Sequence, residues 1–170
     1  MCEAITAWAT LVIAVGSVVS LCLAYRAIQT QAKSMADSVS ADLALKLVHN
    51  FESDATIARR SRVSDSLLKN LNLAETEDLF DFFEQVGLFV RKGLIDVEIA
   101  HSLFFHWINL YWVAGKHLIQ NKREVCTDLW TDFEYLHKRL LQIEIDTDPR
   151  SRFINPSEAL IKQGLEEEIQ

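Results

Sequence analysis

The feature that most constrains this chain is a run of 22 residues without a charge, from Ala4 to Tyr25. Glu3 and Arg26 bracket the run. At about 1.5 Å per residue, a helix of this length covers about 33 Å, which matches the ~30 Å hydrocarbon core of a bilayer. Its apolar residues favour insertion by about 3–5 kcal/mol, and Trp8 and Tyr25 lie near its ends, where aromatic rings favour the headgroup layer. We therefore predict a retained transmembrane helix over residues 4–25.

Two other interpretations of this run fit less well. A cleaved signal peptide would use the small residues around Cys22 and Ala24, but it requires a basic start and an apolar core of about 7–15 residues. The first three residues, Met-Cys-Glu, contain no basic residue. A buried helix of a soluble protein seldom extends this far without one charge.

The basic residues beside the run predict its orientation. Arg26 and Lys33 follow the run, whereas the short N-terminal side has no Lys or Arg. Because positive residues favour the cytoplasmic side, we expect the N-terminus outside and the body in the cytoplasm, at the inner (plasma) membrane. Cysteine usage agrees, since Cys126 is the only Cys after the run and has no partner for a disulfide within the body.

Small residues recur every four positions within the run, at Gly16, Ser20 and Ala24. Such a ridge allows two helices to approach closely in a bilayer. We therefore predict a homo-oligomer with this face as its interface. The lipid bilayer and an unidentified protein are the other expected partners.

Composition indicates an all-α protein. Two Pro and five Gly in 170 residues are too few for the turns of a β protein. Residues 26–62 carry a net charge of +2 and residues 63–170 a net charge of −8, which argues against a nucleic-acid-binding body. The sequence contains none of the common phosphate-binding, serine-hydrolase or metalloprotease motifs, so we predict no cofactor and no catalytic residue.

Four arginines lie in the mildly basic part of the chain, Arg26, Arg59, Arg60 and Arg62. We predict that they contact lipid headgroups, where each basic residue near an anionic surface contributes about 1 kcal/mol. The alternative for the last three is a solvated helix face with some ion pairing.

Helical periodicity and helix-end signals predict a bundle of about five helices over residues 26–145, then a linker and a short terminal helix over 146–170. Residues 26–50 contain no Gly or Pro, so the first helix is expected to continue from the span without a break. The further helices are predicted over 54–69, 76–92, 96–120, 124–141 and from Pro156 at a first turn to a frayed acidic end at 166–168.

An apolar stripe crosses the first helix of the body at steps of three or four residues. Its members are Ile28, Ala32, Met35, Val39, Leu43 and Leu47. The stripe favours packing of this helix against the rest of the body. A coiled-coil seam is the alternative, but a strict heptad ends after Val39.

Three short blocks stand out along the chain: FFEQVGLFVRKGLID at 82–96, Tyr111-Trp112 and FEYL at 133–136. In this order they resemble a bacterial family of uncharacterised proteins with one N-terminal span and a small helical domain. The resemblance covers about residues 41–141 and implies that architecture but no activity. Within the first block, Gly87 costs a helix about 1 kcal/mol unless a neighbouring helix packs closely there. We therefore expect a close helix contact at Gly87 and a left-handed helix stop at Gly93.

Two Glu-x-x-His pairs, Glu98 with His101 and Glu134 with His137, are the strongest candidates for chemistry. Each pair places a carboxylate and an imidazole one turn apart, as in di-iron bundles, which add a Glu from each of two further helices. Glu84 would supply one such ligand, but the second helix has no interior Glu. We therefore predict no metal site, and these residues remain the candidates for the alternative.

Together these observations predict a non-enzymatic, membrane-anchored scaffold or interaction protein. One alternative is a metal-dependent helical-bundle enzyme that uses the two Glu-x-x-His pairs. The other is an effector whose span oligomerises and permeabilises the membrane.

Overall fold

The computed structural model describes the backbone of residues 2–69, 71 and 74–169, and the side chains of this part except those of residues 2–15, 18 and 19. In this part of the chain there are six helices and no strand, so the all-α prediction is confirmed. The helices are α1 (Cys2–Phe51), α2 (Asp54–Leu68), α3 (Ala74–Arg91), α4 (Val97–Arg123), α5 (Thr131–Thr147) and α6 (Glu158–Glu167).

The chain divides into two compact units, residues 1–39 and 40–170. As predicted, α1 is one continuous helix, and it provides most of the first unit and the start of the second. Every side chain from Ser20 to Val39 is exposed. The prediction that the stripe packs against the body is therefore wrong for Ile28, Ala32, Met35 and Val39, and it holds only for the later positions.

The predicted span lies mostly outside the described side chains, which omit residues 4–15, 18 and 19. Among the residues that the structure does describe, no helix has both the length and the hydropathy to cross a membrane. The membrane span over residues 4–25 therefore stays a prediction from the sequence.

The second unit is built around α3, α4 and α5, and α3 packs most extensively against α5. Large aromatic side chains fill its core. The fully buried ones are Phe51, Phe80, Phe83, Phe104, Tyr111, Trp130 and Phe133. Phe83 stacks on Phe133 with ring centroids 5.1 Å apart, and Phe80 meets Trp130 edge-on at 5.1 Å. Stacked and edge-on pairs of this kind add to the stabilisation that area burial provides.

Several helix ends lie where local sequence signals predict them. The side chains of Ser53, Asp96 and Ser157 each accept a hydrogen bond from a backbone N–H two or three residues later, at the starts of α2, α4 and α6. Pro156 precedes the cap of α6 instead of occupying the first turn. Gly93 has φ +68°, the left-handed conformation expected of a helix stop.

The start of α5 differs from the prediction, which placed it at Glu124. Residues 124–130 lie between α4 and α5 and consist mostly of turns. Trp130 adopts a left-handed conformation with φ 55° and provides no side-chain cap. The cap comes from α3, where Glu84 Oε2 accepts a hydrogen bond from the N–H of Phe133 at 2.6 Å. A tertiary contact therefore satisfies the free N–H at this helix end.

Gly87 of α3 lies directly against the start of α5. A Cβ at this position would be 2.1 Å from the carbonyl oxygen of Asp132, so the close contact expected at Gly87 is confirmed. One turn later, Arg91 donates Nε–H and Nη2–H to the Asp132 carboxylate, and this hydrogen-bonded pair raises the pKa of Arg91. Trp130 Nε1–H donates to Asp81 at 2.7 Å. The 81–91 segment of α3 thus holds α5 in place.

Replacing Gly87 with Ala should destabilise the second unit, because the new Cβ would overlap the backbone of Asp132. We expect the free energy of unfolding to fall by about 1–3 kcal/mol, although Ala favours helix by about 1 kcal/mol. Urea unfolding of the detergent-solubilised chain, followed by far-UV circular dichroism, measures the change. Gln85→Ala is the matched control, since Gln85 is exposed on α3 two residues before Gly87. An unchanged midpoint for Gly87→Ala would contradict the close contact.

Candidate functional site

The first Glu-x-x-His pair lies at the start of α4 and does not act as a unit. Glu98 is exposed in the first turn of the helix. His101 is directed to α5, where its Nε2 lies 3.0 Å from Glu144 Oε2, and its ring stacks on Phe105 at 4.8 Å. The partner of His101 is therefore Glu144 and not the neighbouring Glu98.

In the second pair, which lies in α5, Glu134 and His137 also bind different partners. Glu134 accepts hydrogen bonds from Lys138 at 2.5 Å and from Arg123 at 2.6 Å, and these bonds lower its pKa. His137 Nε2 lies 3.0 Å from Asn109 Oδ1 of α4. Throughout the described part of the chain, no three His, Cys, Asp or Glu side chains are grouped so that they could hold one metal ion. The structure thus does not bring the four candidate residues together.

His137 lies in the core between α4 and α5. Its ring stacks on Trp112 with centroids 5.4 Å apart, and only 8 % of its surface is exposed. Burial lowers the pKa of His137 to about 4, with a further lowering by the charge of Lys138. The imidazole is therefore neutral at neutral pH, and its Nε2–H donates to the amide oxygen of Asn109. Asn109 in turn donates to the carbonyl oxygen of Phe153 at 2.9 Å.

A second buried polar cluster lies where α2, α4 and α6 meet, and it centres on Glu168. Glu168 Oε1 accepts the indole N–H of Trp107 at 2.9 Å. Its Oε2 accepts the hydroxyl of Tyr111 at 3.3 Å and lies 2.9 Å from Arg60 Nε. Ser64 Oγ lies 3.0 Å from the Tyr111 hydroxyl. Burial and the nearby Glu168 raise the pKa of Tyr111, so the phenol stays protonated and serves as a donor.

This cluster, which we call the Glu168 cluster, also holds the charge of Arg60. The Arg60 guanidinium lies over the rings of Phe51 at 4.3 Å and Trp107 at 5.3 Å. The side chains of Arg60 and Glu168 are 11 % and 14 % exposed, so both charges lie inside the body. Fraying was expected at the acidic end of the last helix. Glu168 is held there instead, because its carboxylate contacts Arg60 of α2 and Trp107 and Tyr111 of α4.

Of the four arginines predicted to contact lipid headgroups, Arg60 is buried and the other three are accessible. Arg26 is exposed on α1. Arg62 Nε donates to Glu75 at 2.8 Å, and Arg59 Nε lies 4.0 Å from Asp78, both on the surface between α2 and α3. Three of the four arginines are thus accessible, and two of these have acidic neighbours.

The structure describes the side chains of all three residues of the predicted oligomer interface. Gly16, Ser20 and Ala24 are all exposed on α1. A Cβ at Gly16 would meet no atom within 4 Å. The ridge is therefore available to a partner.

Sequence reasoning did not identify the Glu168 cluster or the pairing of His137 with Asn109. A signal was present, since Trp107 and Tyr111 lie one turn apart on a buried face and each carries a polar hydrogen that needs an acceptor. The acceptor itself is more than fifty residues away in the chain. Which carboxylate fills that role depends on the packing of α6.

The neutral state of His137 should make stability depend on pH. Below its ordinary pKa of 6.5, the unfolded chain binds a proton that the folded chain excludes until about pH 4. The free energy of unfolding should therefore fall as the pH decreases from 6.5 to 4, by roughly 2 kcal/mol at pH 5. Urea unfolding at pH 7 and pH 5 measures this loss. His137→Gln keeps an amide N–H for Asn109 and should reduce the loss, whereas an equal loss in both chains would contradict a neutral His137.

Removing the charge of Glu168 should leave Arg60 buried without a counter-ion. We expect Glu168→Gln to lower the free energy of unfolding by about 3 kcal/mol, and thermal or urea unfolding measures it. Glu166→Gln is the matched control, because Glu166 is largely exposed and lies 3.8 Å from Lys162. Adding Arg60→Met to Glu168→Gln should restore part of the loss. Equal stability of the Glu168→Gln and Glu166→Gln chains would show that the pair is not buried.

Comparison with known proteins places the chain in a family. Neither the curated proteins nor the solved structures gave a match. Residues 7–140 match the family described as Domain of unknown function (DUF4760). The match starts closer to the N-terminus than the 41–141 range of the resemblance, contains the FFEQVGLFVRKGLID block and covers more than half of the chain. The chain therefore belongs to the DUF4760 family of domains of unknown function.

Proposed function

We propose that this protein is a membrane-anchored helical scaffold that presents its α2–α6 body at the inner face of the plasma membrane. It acts by binding, through self-association or a protein partner, and not by catalysis. The observation that carries the proposal is the continuity of α1 from Cys2 to Phe51. The same helix contains the uncharged run over residues 4–25 and the buried core residue Phe51, with no Gly or Pro between residues 17 and 51.

The use of charged side chains in the body supports a binding role. Arg91 binds Asp132, Arg123 binds Glu134, and Arg60 faces Glu168. Each of these pairs joins two helices or a helix and a loop. Charged residues committed to such pairs hold the body in one shape, which is what a scaffold needs.

Contact with lipid headgroups is part of the proposal for Arg26, which directly follows the uncharged run. Arg59 and Arg62 are accessible as well, although Asp78 and Glu75 offset part of their charge. Arg60 is not included, because its guanidinium is buried between Phe51 and Trp107.

The anchor is tested by placing a charge in the middle of the run. An Arg near the centre of a span costs about 2.5–3.5 kcal/mol, which removes most of the predicted insertion free energy of about 3–5 kcal/mol. We expect the parent chain to stay in the membrane pellet after alkaline carbonate extraction and Val12→Arg to move largely to the supernatant. Val12→Leu is the control and should stay in the pellet. A parent chain that is extracted as easily as Val12→Arg would refute the anchor.

The orientation is tested on whole cells with Cys126, which is exposed in the body. In a Cys2→Ser/Cys22→Ser background, a membrane-impermeant maleimide should label Cys126 only after the cells are permeabilised. Labelling of intact cells would place the body outside and reverse the proposed topology.

A further inference from the structure

We propose that α1 forms a parallel coiled coil with α1 of a second copy of this chain, along residues 21–39. The inference rests on the proposed scaffold function and identifies the binding partner of that scaffold as a second copy of the chain. The pairing itself does not require the membrane anchor.

The spacing of apolar residues in α1 is that of a coiled-coil seam. From residue 11 to residue 39, steps of three and four alternate without exception over four heptads. The nine seam positions are Leu11, Ala14, Val18, Leu21, Tyr25, Ile28, Ala32, Met35 and Val39. A repeat of 3.5 residues sustained over four heptads is typical of helices that pair with each other.

The second half of the seam is exposed in the part of the chain that the structure describes. Ile28, Met35 and Val39 are 65 %, 63 % and 60 % exposed. All three follow Arg26, so a bilayer that ends near Tyr25 does not cover them either. Three large apolar side chains on one narrow stripe of a helix in water favour burial against another apolar surface.

The charges on this part of α1 indicate that the partner is another copy of the same helix. In heptad lettering with Tyr25 at a and Ile28 at d, the charged residues Arg26, Lys33 and Asp37 lie at b and f, away from the seam. The flanking e and g positions are all uncharged: Cys22, Ala24, Gln29, Gln31, Ala36 and Ser38. Two identical helices therefore approach without like-charge contacts. A lipid surface would instead be recognised by a broad apolar face with many basic residues opposite it.

The seam ends where α1 begins to supply the core. The next two heptad positions are Asp42 and Lys46, which form an exposed ion pair at 2.7 Å. Ala44, Leu47 and Phe51 are buried. The heptad repeat thus stops where the apolar residues of α1 start to pack within the second unit.

This seam is distinct from the ridge at Gly16, Ser20 and Ala24. In the same lettering the ridge residues occupy f, c and g, whereas the seam occupies a and d. At about 100° per residue, the two faces are centred about 130° apart around the helix. Cross-linking therefore distinguishes pairing through the seam from pairing through the ridge.

The test uses the full-length chain in its native membranes, with all three natural Cys residues replaced by Ser. Single Cys residues are introduced at the d positions by Ile28→Cys and Met35→Cys, and at outer positions by Thr30→Cys and Lys33→Cys. We expect oxidation to yield disulfide-linked dimers of the two d-position variants in at least about fivefold excess over the outer variants, because facing d positions lie within disulfide reach. Val39→Cys should also link to itself, as only a parallel arrangement allows.

Other cross-linking patterns would overturn the inference. Equal linkage at all four positions would indicate random collision. Preferred linkage of Gly16→Cys and Ser20→Cys would assign self-association to the ridge. Linkage of Leu21→Cys with Val39→Cys in mixed samples, without self-linkage of either, would indicate an antiparallel pair.

A second test of the seam measures the oligomeric mass and needs no Cys variants. Mass determination of the detergent-solubilised parent should show at least a dimer. Ile28→Glu/Met35→Glu should weaken it by at least about tenfold, because burial of these side chains contributes more than that factor. Thr30→Glu/Lys33→Glu is the matched control and should leave the mass unchanged. A monomeric parent, or equal effects of the two double variants, would contradict the seam.

The outcome is separable from that of the anchor test. If the Val12→Arg chain remains in the supernatant and still links through Ile28→Cys, the seam pairs the chains without a membrane. If the parent chain is anchored but neither d-position variant links, the anchor proposal stands and the seam is refuted.

Discussion

The packing of the second unit depends on the contact between Gly87 in α3 and the backbone of Asp132 at the start of α5. Because there is no side chain at Gly87, α5 approaches closely enough for Glu84 to cap it and for Arg91 to bind Asp132. This placement inserts Phe133 between the aromatic rings of α3 and α4. It also sets where the later residues of α5 lie, including His137 beside Trp112. One glycine in α3 thus determines the position of a helix that its own sequence caps poorly.

Polar groups inside this body serve mainly to connect its helices. His137 and Asn109 join α5 to α4 and to the segment before α6, and Glu168 joins the end of α6 to α2 and α4. In each case burial in an apolar surrounding is compensated by hydrogen bonds or by an opposite charge, as buried polar groups require. These connections make α6 part of the same unit as α2–α5, in line with its contacts to α2 and α4.

The two units use the apolar residues of α1 differently. In the second unit, Leu47 and Phe51 complete the aromatic core. In the first unit, Ile28, Met35 and Val39 face solvent at heptad spacing. In the functions proposed above, residues 4–25 anchor the scaffold and residues 21–39 pair it with a second copy, which would hold two bodies at one membrane surface. The family match over residues 7–140 includes most of α1 and the body as far as α5, whereas α6 lies after it.

Much of the architecture is determined by the sequence alone, because it depends on local signals. The absence of Gly and Pro from residues 26–50 predicts the unbroken helix, Ser53 and Asp96 predict helix starts, and Gly93 predicts a stop. The cost of Gly87 within a helix predicts a close neighbour. These features depend on backbone conformation and hydrogen bonds within a few residues, so a single stretch of chain contains all the information they need.

Other features were decided only by the tertiary structure. The start of α5 depends on Glu84, nearly fifty residues earlier in the chain, and the burial of Arg60 depends on Glu168 at the far end. The two Glu-x-x-His pairs have the spacing of metal ligands, but the helices direct His101 to Glu144 and His137 to Asn109. The stripe on α1 shows the same limit, since periodicity identifies its apolar face but not what covers it. Periodicity and spacing describe one helix at a time, whereas partners across the fold are set by how the helices pack together.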